Sequence, residues 1–161
     1  MTISPRDFRD ALGRFASGVT VVTIPHAGDP AGVRGITANA FLSVSLEPPL
    51  VLVSIDKKAR AHAPLLEAER YGVSVLREGQ EALSNHFAGF DAAVVPRFTE
   101  LSGFTVLEGA LAQLVCRVTD RVSAGDHTLF IGQVEALATT DAAPLVYFRG
   151  RYGALASVAD Q

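Results

Sequence analysis

The stretch Thr37–Ser54, with the sequence TANAFLSVSLEPPLVLVS, constrains the fold more than any other part of the chain. A short polar turn at its start leads into alternating apolar and polar residues, the pattern of a strand with one face in water. After Pro48-Pro49, the segment Leu50–Val53 is apolar without interruption, which predicts a strand buried on both faces. Two strands of unequal burial around a rigid corner predict a barrel wall beside a ligand. The polar residues expected to hold that ligand are Thr37, Asn39 and Ser54.

Helices are few in the remaining sequence. Ser4-Pro5 is a helix start, with serine as the cap and proline at the first helical position. Phe8, Ala11, Leu12 and Phe15 repeat at helical spacing, and Gly18 is a suitable stop. Two further helices are predicted over Ala61–Glu69 and Gln80–Phe87, whereas 88–103 has no regular pattern.

Strands dominate, and most of them follow one another directly. His26–Val33 contains glycines and a proline and is interpreted as a hairpin loop. The hairpin-like order of the strands favours an antiparallel β-barrel with peripheral helices over a doubly wound parallel sheet. Besides the two strands above, the predicted segments are Val19–Ile24, Gly35–Ala40, Tyr71–Leu76, Ala112–Val122, Thr128–Thr139, Pro144–Arg149 and Arg151–Leu155.

Composition narrows the class of protein. The chain has 161 residues, 48% of them apolar, which fits one domain over residues 1–161 and argues against disorder. Its net charge of −3 gives no bulk attraction to nucleic acid. We expect no membrane span and no signal peptide, because no apolar run approaches about 18 residues. The single cysteine, Cys116, excludes an internal disulfide and is expected to pack in the core of a cytoplasmic protein.

Several nucleotide and hydrolase motifs are missing: there is no G-x-G-x-x-G after a strand, no Walker A sequence and no G-x-S-x-G elbow. The histidines, at positions 26, 62, 86 and 127, lack metal-ligand spacing, so no metal site is predicted. The basic turn Lys57-Lys58-Ala59-Arg60, between a strand and a helix start, could bind a phosphate or could simply be solvated. His127, which follows a tight Gly125-Asp126 turn, could touch a substrate or could be a surface residue. Tyr152, which follows Gly150, could touch a substrate or could pack in the core.

Together these segments resemble the flavin reductase family with the FMN-binding split-barrel fold, an antiparallel Greek-key-type barrel. Members include the reductase components of two-component flavin-dependent monooxygenases. The resemblance covers nearly the whole chain in the family's order and spacing. The segments that carry it are Phe15–Thr23, Gly35–Phe41, Ser43–Val51, Tyr71–Leu76, Leu83–Ala88, Gly125–His127 with Gly132 and Val134, and Tyr147–Tyr152.

The resemblance implies a role for particular residues. Thr37, Ala38 and Asn39 match the turn that binds the isoalloxazine ring and the ribityl chain. His127 matches a histidine near the nicotinamide, with a catalytic role in orienting NADH, and Tyr152 matches a residue of the same pocket. The remaining cofactor-binding positions include those of the phosphate segment; they are Ala40, Ser54, Ile55, Lys57, Lys58, Arg60 and Ala61. At Ala40 the family often has serine, so one hydroxyl contact is absent here or comes from Ser43.

The resemblance also implies an activity and partners. We expect an NAD(P)H:flavin oxidoreductase that reduces FMN or FAD with NADH, or with NADPH, and supplies a separate monooxygenase. The family commonly builds its pocket at a subunit interface, so a homodimer is expected. One alternative is a flavin-binding carrier or storage protein without turnover. A second, an oxidase of the pyridoxine-phosphate type, is disfavoured by Thr37-Ala38-Asn39 and Gly125-Asp126-His127. The Gly125-Asp126-His127 turn favours the reductase, because a pure carrier needs no nicotinamide pocket.

Overall fold

The computed structural model describes residues 2–90 and 93–156. Within them are twelve strands and three helices, and none of the helices is both long and apolar enough to cross a membrane. The helices are α1 (Pro5–Leu12), α2 (His62–Glu67) and α3 (Glu81–Phe87). The strands are β1 (Ser17–Gly18), β2 (Thr20–Pro25), β3 (Val33–Ala38), β4 (Phe41–Leu46), β5 (Pro49–Asp56), β6 (Arg70–Val75), β7 (Phe98–Leu101), β8 (Phe104–Leu107), β9 (Ala112–Ala124), β10 (His127–Thr139), β11 (Val146–Phe148) and β12 (Arg151–Gly153).

Seven strands form one antiparallel sheet in the order β3-β2-β6-β9-β10-β5-β4. Neighbours such as β2 and β6 are far apart in sequence, which gives the Greek-key-type connections. The amide of Ser54 in β5 donates to the carbonyl of Ala40 at 3.0 Å, which extends the pairing of β4 with β5 to the residue before β4. The sheet curls, so that β3 at one edge also contacts β5 near the other. The predicted fold, an antiparallel split barrel with peripheral helices, is confirmed.

The two strands around Pro48-Pro49 differ from their predicted burial. In β5, buried Val51, Val53 and Ile55 alternate with half-buried residues, so only one face of this strand is buried. The expectation of two buried faces was wrong because no second layer of the described chain covers the other face. In β4 the apolar residues Leu42, Val44 and Leu46 are exposed, with 92% of Leu46 accessible, where a buried apolar face was expected.

The prediction that residues 88–103 are irregular was wrong in part. β7 lies inside this segment and pairs with β8 as an antiparallel hairpin, from Phe98 opposite Leu107 to Leu101 opposite Phe104. Gly103 takes a positive φ of 73° at its turn. Residues 91 and 92 lie outside the described residues. Phe104 and Val106 of β8 are buried against β9, so the hairpin covers one side of the barrel.

The first helix is shorter than predicted and does not pack in the core. Ser4 caps it by accepting a hydrogen bond from the amide of Asp7, as the sequence indicates, but it ends at Leu12 rather than near Gly18. Its apolar residues Phe8 and Leu12 stay more than half exposed, and Phe15, beyond the helix, is 80% exposed. These apolar residues therefore lie on a surface that is exposed to solvent in the single chain.

The barrel core contains one unusually close contact, at Gly132. A Cβ there would lie 2.5 Å from the Tyr71 hydroxyl and 2.9 Å from Cβ of Cys116. The pairing of β10 with β9 also shifts register between Ile131 and Gly132, so the strand has a bulge at this glycine. Cys116 is fully buried, as predicted, and burial raises the pKa of its thiol to about 12. It is a packing residue.

Candidate functional site

A cavity of about 870 Å³ opens between the β2–β3 hairpin and α3. It is lined by residues 29–31 of the hairpin loop, 33–37 of β3, 59–61 before α2, 86–89 at the end of α3, and 95, 96 and 98. Its volume lies in the range of small-molecule and cofactor sites. Elements from both halves of the sequence therefore build one pocket.

The floor of this pocket depends on Gly35. A Cβ at that position would lie 2.3 Å from the ring of Phe87, so the ring rests directly on the backbone of β3. Phe87 in turn meets Phe98 edge-on, with ring centroids 6.4 Å apart. Ile36 and Pro96 add to this apolar lining. A wall of this kind suits a planar aromatic ligand.

Another part of the pocket lining is charged, because Asp29, Arg34 and Arg60 meet there. Arg34 donates from Nε to Oδ2 of Asp29 at 2.9 Å and from its Nη1 to the carbonyl of Arg60 at 3.3 Å. The hydrogen bond from Arg34 holds the pKa of the Asp29 carboxyl below its usual value. Asp29 is therefore ionised at neutral pH. Arg60 is exposed, and an anionic group of a ligand could reach it.

Thr37 and Tyr152 belong to one hydrogen-bonded network around α3. The Thr37 hydroxyl donates to the carbonyl of Ser84 at 2.6 Å. The Tyr152 hydroxyl lies 2.8 Å from both Oγ of Ser84 and Oδ1 of Asn85. The Tyr152 ring also packs against Tyr147, with centroids 5.5 Å apart. The network fixes α3, and with it Phe87, relative to β3.

The next predicted residues, Ala38, Asn39 and Ala40, follow Thr37 along the chain. Ala38 is buried, and its carbonyl accepts from the Thr20 hydroxyl at 2.6 Å. Asn39 and Ala40 are exposed, and Ala40 meets the amide of Ser54 as described above. The side chain of Ile55 is in the core, so only its backbone could contact a ligand. Thr37 and Ala38 are the last residues of β3 rather than part of a turn.

His127 is the first residue of β10 and lies beside the basic turn that follows β5. It pairs with Asp56 across the sheet, and its Nδ1 lies 2.7 Å from Oδ1 of Asp126. The hydrogen bond with His127 lowers the pKa of Asp126. Lys57 donates from Nζ to the carbonyl of Gly125 at 2.6 Å, so its ammonium group holds the turn that carries His127. Lys58 is exposed, and its amide donates to Oδ1 of Asp56 at 2.8 Å.

The structure therefore brings three predicted site residues into the pocket lining: Thr37, Arg60 and Ala61. Five further predicted residues are not among the lining residues and form two other groups. Ser54 and Ala40 meet in one group, and Lys57, Lys58 and His127 lie together around the turn that follows β5. Tyr152 is not a lining residue, but its hydroxyl contacts Ser84 and Asn85 of α3, the helix that carries the lining residue Phe87. Sequence reasoning missed Asp29, Arg34, Phe87 and Phe98 as lining residues. The Arg34-Gly35 pair, close before Thr37 in the sequence, could have indicated that β3 lines the site.

The pocket fits the flavin that the sequence resemblance implies. Phe87, packed on Gly35, gives the lining an aromatic and apolar part, and exposed Arg60 supplies a cation at the charged part of the lining. An aromatic ring bearing a phosphate group needs both features.

Comparison with known proteins shows the family to which the chain belongs. The family model for the flavin reductase like domain matches residues 12–156. An NADH-dependent flavin reductase of Rhodococcus sp is 49% identical over 156 residues, covering 95% of this chain and 88% of that protein. The reductase component of the 4-hydroxyphenylacetate 3-monooxygenase of Thermus thermophilus is 44% identical over 146 residues, covering 90% of this chain and 93% of that protein.

A solved structure shares the fold at high similarity. The flavin reductase PheA2 in its native state superposes with a TM-score of 0.91 at 47% sequence identity, over 96% of this chain and 100% of that one. Agreement at this level extends to the arrangement of the strands that surround the pocket.

Proposed function

The chain belongs to the flavin reductase like family, and from this premise we propose that the pocket on Gly35 and Phe87 binds the flavin that the protein reduces. The protein is an NAD(P)H:flavin oxidoreductase, with NADH as the electron donor and FMN or FAD as the acceptor. The observation that carries the pocket assignment is the combination, in one cavity, of an aromatic floor and an exposed guanidinium group.

A flavin held here would supply the electron-accepting ring for hydride transfer from the reduced nicotinamide. The protein has to hold the two rings together and orient them, which requires no acid–base pair or nucleophile among its side chains. Phe87 and Ile36 provide the apolar surface, and Arg60 with Lys58 the positive charge for the phosphate. Thr37 in the pocket lining, and Ala38, Asn39, Ala40 and Ser54 beside it, are the residues proposed to contact the ring and sugar through their backbone.

We assign His127 to orientation of NADH, not to obligatory proton donation. Its contact with Asp126 and the hold of Lys57 on the same turn fix the position of the imidazole. The variant His127→Ala should raise the KM for NADH with little change in flavin affinity. If it left both the KM and the turnover number for NADH unchanged, this role would be wrong.

Two assembly proposals accompany the activity. A homodimer is supported by edge strand β4, which exposes Leu42, Val44 and Leu46, a surface that a second copy could cover. A separate monooxygenase component is proposed as the consumer of reduced flavin, because the Thermus relative is the reductase component of such a system. The single buried thiol and the use of NADH fit a cytoplasmic location.

The experiment that tests this function follows NADH absorbance with a catalytic amount of protein and excess free FMN, FAD or riboflavin. We expect many equivalents of NADH to be oxidised per chain, and the same assay with NADPH gives the nucleotide preference. Loss of no more than one equivalent per chain would favour the alternative, a flavin carrier or storage protein without turnover.

A further inference from the structure

The salt bridge between Asp29 and Arg34 joins two segments of the pocket lining. Arg34 donates from Nε to Oδ2 at 2.9 Å and from its Nη2 to Oδ1 at 3.4 Å, so the guanidinium group engages both carboxylate oxygens. The two side chains are only 20% and 26% exposed. A bidentate pair with this little exposure has a defined geometry, unlike a mobile surface pair.

The loop that presents Asp29 is itself fixed. The amide of Asp29 donates to the carbonyl of His26 at 3.2 Å, and the carbonyl of Asp29 accepts from the amide of Gly32 at 2.9 Å. The amide of His26 donates to the carbonyl of Gly32 at 2.8 Å. Nδ1 of His26 also lies 3.4 Å from Oδ2 of Asp29. Asp29 is therefore a rigid anchor on the β2–β3 hairpin.

The remaining end of Arg34 reaches the basic turn. Nη1 of Arg34 donates to the backbone carbonyl of Arg60 at 3.3 Å, a contact between residues 26 positions apart in sequence. The carboxylate of Asp29 already compensates the charge of Arg34, which makes Arg34 a weak receptor for an anion. Arg60 is exposed and lines the same cavity, so its side chain is the better receptor.

We propose that Asp29 and Arg34 form a positioning pair that fixes the backbone at Arg60, and that this pair makes the protein selective for phosphorylated flavins over riboflavin. The inference rests on the proposed function, since it assumes that flavin occupies this pocket. Arg34 acts through Arg60 and is not itself a ligand of the phosphate. Riboflavin has the same ring and ribityl chain but no phosphate, so its binding should not depend on the pair.

The first test compares dissociation constants for FMN and riboflavin, measured by quenching of flavin fluorescence without NADH. Arg34→Gln should raise the Kd for FMN by about tenfold, the effect of one well-placed charge-assisted contact, and change the Kd for riboflavin less than about twofold. Arg34→Lys keeps the charge but cannot span both acceptors, so it should change the FMN to riboflavin ratio in the same direction. Arg14→Gln, which breaks an exposed pair with Asp10 at 3.0 Å, is the matched control and should leave both constants unchanged.

The second test separates positioning from direct binding. Asp29→Asn removes the anchor of Arg34, so the positioning role predicts weaker FMN binding, with no further loss in the double variant Asp29→Asn/Arg34→Gln. If Arg34 were itself the phosphate ligand, Asp29→Asn would release its charge and tighten FMN binding, which would overturn the proposal.

Two other results would count against it. An equal loss of FMN and riboflavin binding in Arg34→Gln, or no loss of either, would overturn the positioning role while leaving the proposed function standing. Failure of the unmodified protein to bind or reduce either flavin would overturn the proposed function, and this inference with it.

Discussion

At the scale of single residues, two glycines are required because another side chain occupies the space of a Cβ. Gly132 faces the Tyr71 hydroxyl in the core, and Gly35 faces the Phe87 ring in the pocket. The first was recognisable from sequence, since a glycine inside a strand often marks a bulge. The second was not, because nothing in the sequence indicates that an aromatic residue 52 positions later packs on Gly35.

Gly132→Ala should destabilise the protein by about 1–3 kcal/mol, the usual cost of overfilling a packed core. The added Cβ would meet the Tyr71 hydroxyl at 2.5 Å, and Tyr71 is fully buried and cannot move aside. The free energy of unfolding in urea measures the effect. Gly153→Ala is the control, because a Cβ there has no heavy atom within 4 Å. Equal stability of the two variants would show that the Gly132 site relaxes freely.

At the scale of elements, the placement of α3 connects distant parts of the chain to the site. Sequence periodicity predicted this helix within one residue, yet its role depends on contacts that periodicity does not contain. Its Ser84 accepts from Thr37 in β3 and meets Tyr152 in β12, residues 47 and 68 positions away. The prediction of β5 as a doubly buried strand failed for a related reason, because an apolar run does not show whether a second layer is present.

Tyr152→Phe should weaken flavin binding by about three- to tenfold through a shift of α3, since the variant loses the contacts to Ser84 and Asn85 but keeps the ring. Fluorescence titration with FMN measures the change. Tyr147→Phe is the matched control, since it removes a hydroxyl from the neighbouring ring, 5.5 Å away between centroids. If Tyr152 instead stacks on the ligand through its ring, Tyr152→Phe will bind FMN normally and Tyr152→Ala will not.

At the scale of the whole molecule, the chain leaves apolar surface open along β4. Leu46→Lys should convert the proposed homodimer to a monomer, because a charge replaces a side chain that is 92% exposed in the single chain. Analytical ultracentrifugation measures the change. Leu137→Lys, at an exposed position on β10, is the control and should stay dimeric. A native protein that sediments as a monomer would contradict the dimer.

The overall fold was predictable from sequence to a large extent, because hairpin-like order and alternating apolar residues determine an antiparallel barrel. The pocket was predictable only in part. Thr37 lies near the end of β3 and Arg60 follows β5, positions where polar residues stand out. Phe87 has the spacing of a core residue, and Phe98 lies in a segment that was predicted to be irregular, so neither indicated a ligand. The β7–β8 hairpin was missed because its strands are only four residues long each.

Anaerobic reduction of free FMN by NADH tests whether this chain reduces flavin catalytically. The absence of oxygen prevents reoxidation of the flavin. A protein concentration about one-hundredth that of FMN, with NADH equal to FMN, makes stoichiometric binding negligible. We expect complete bleaching of the oxidised flavin, with one NADH consumed for each FMN. Bleaching that stops at about one flavin per protein chain would show that the chain binds flavin without turnover.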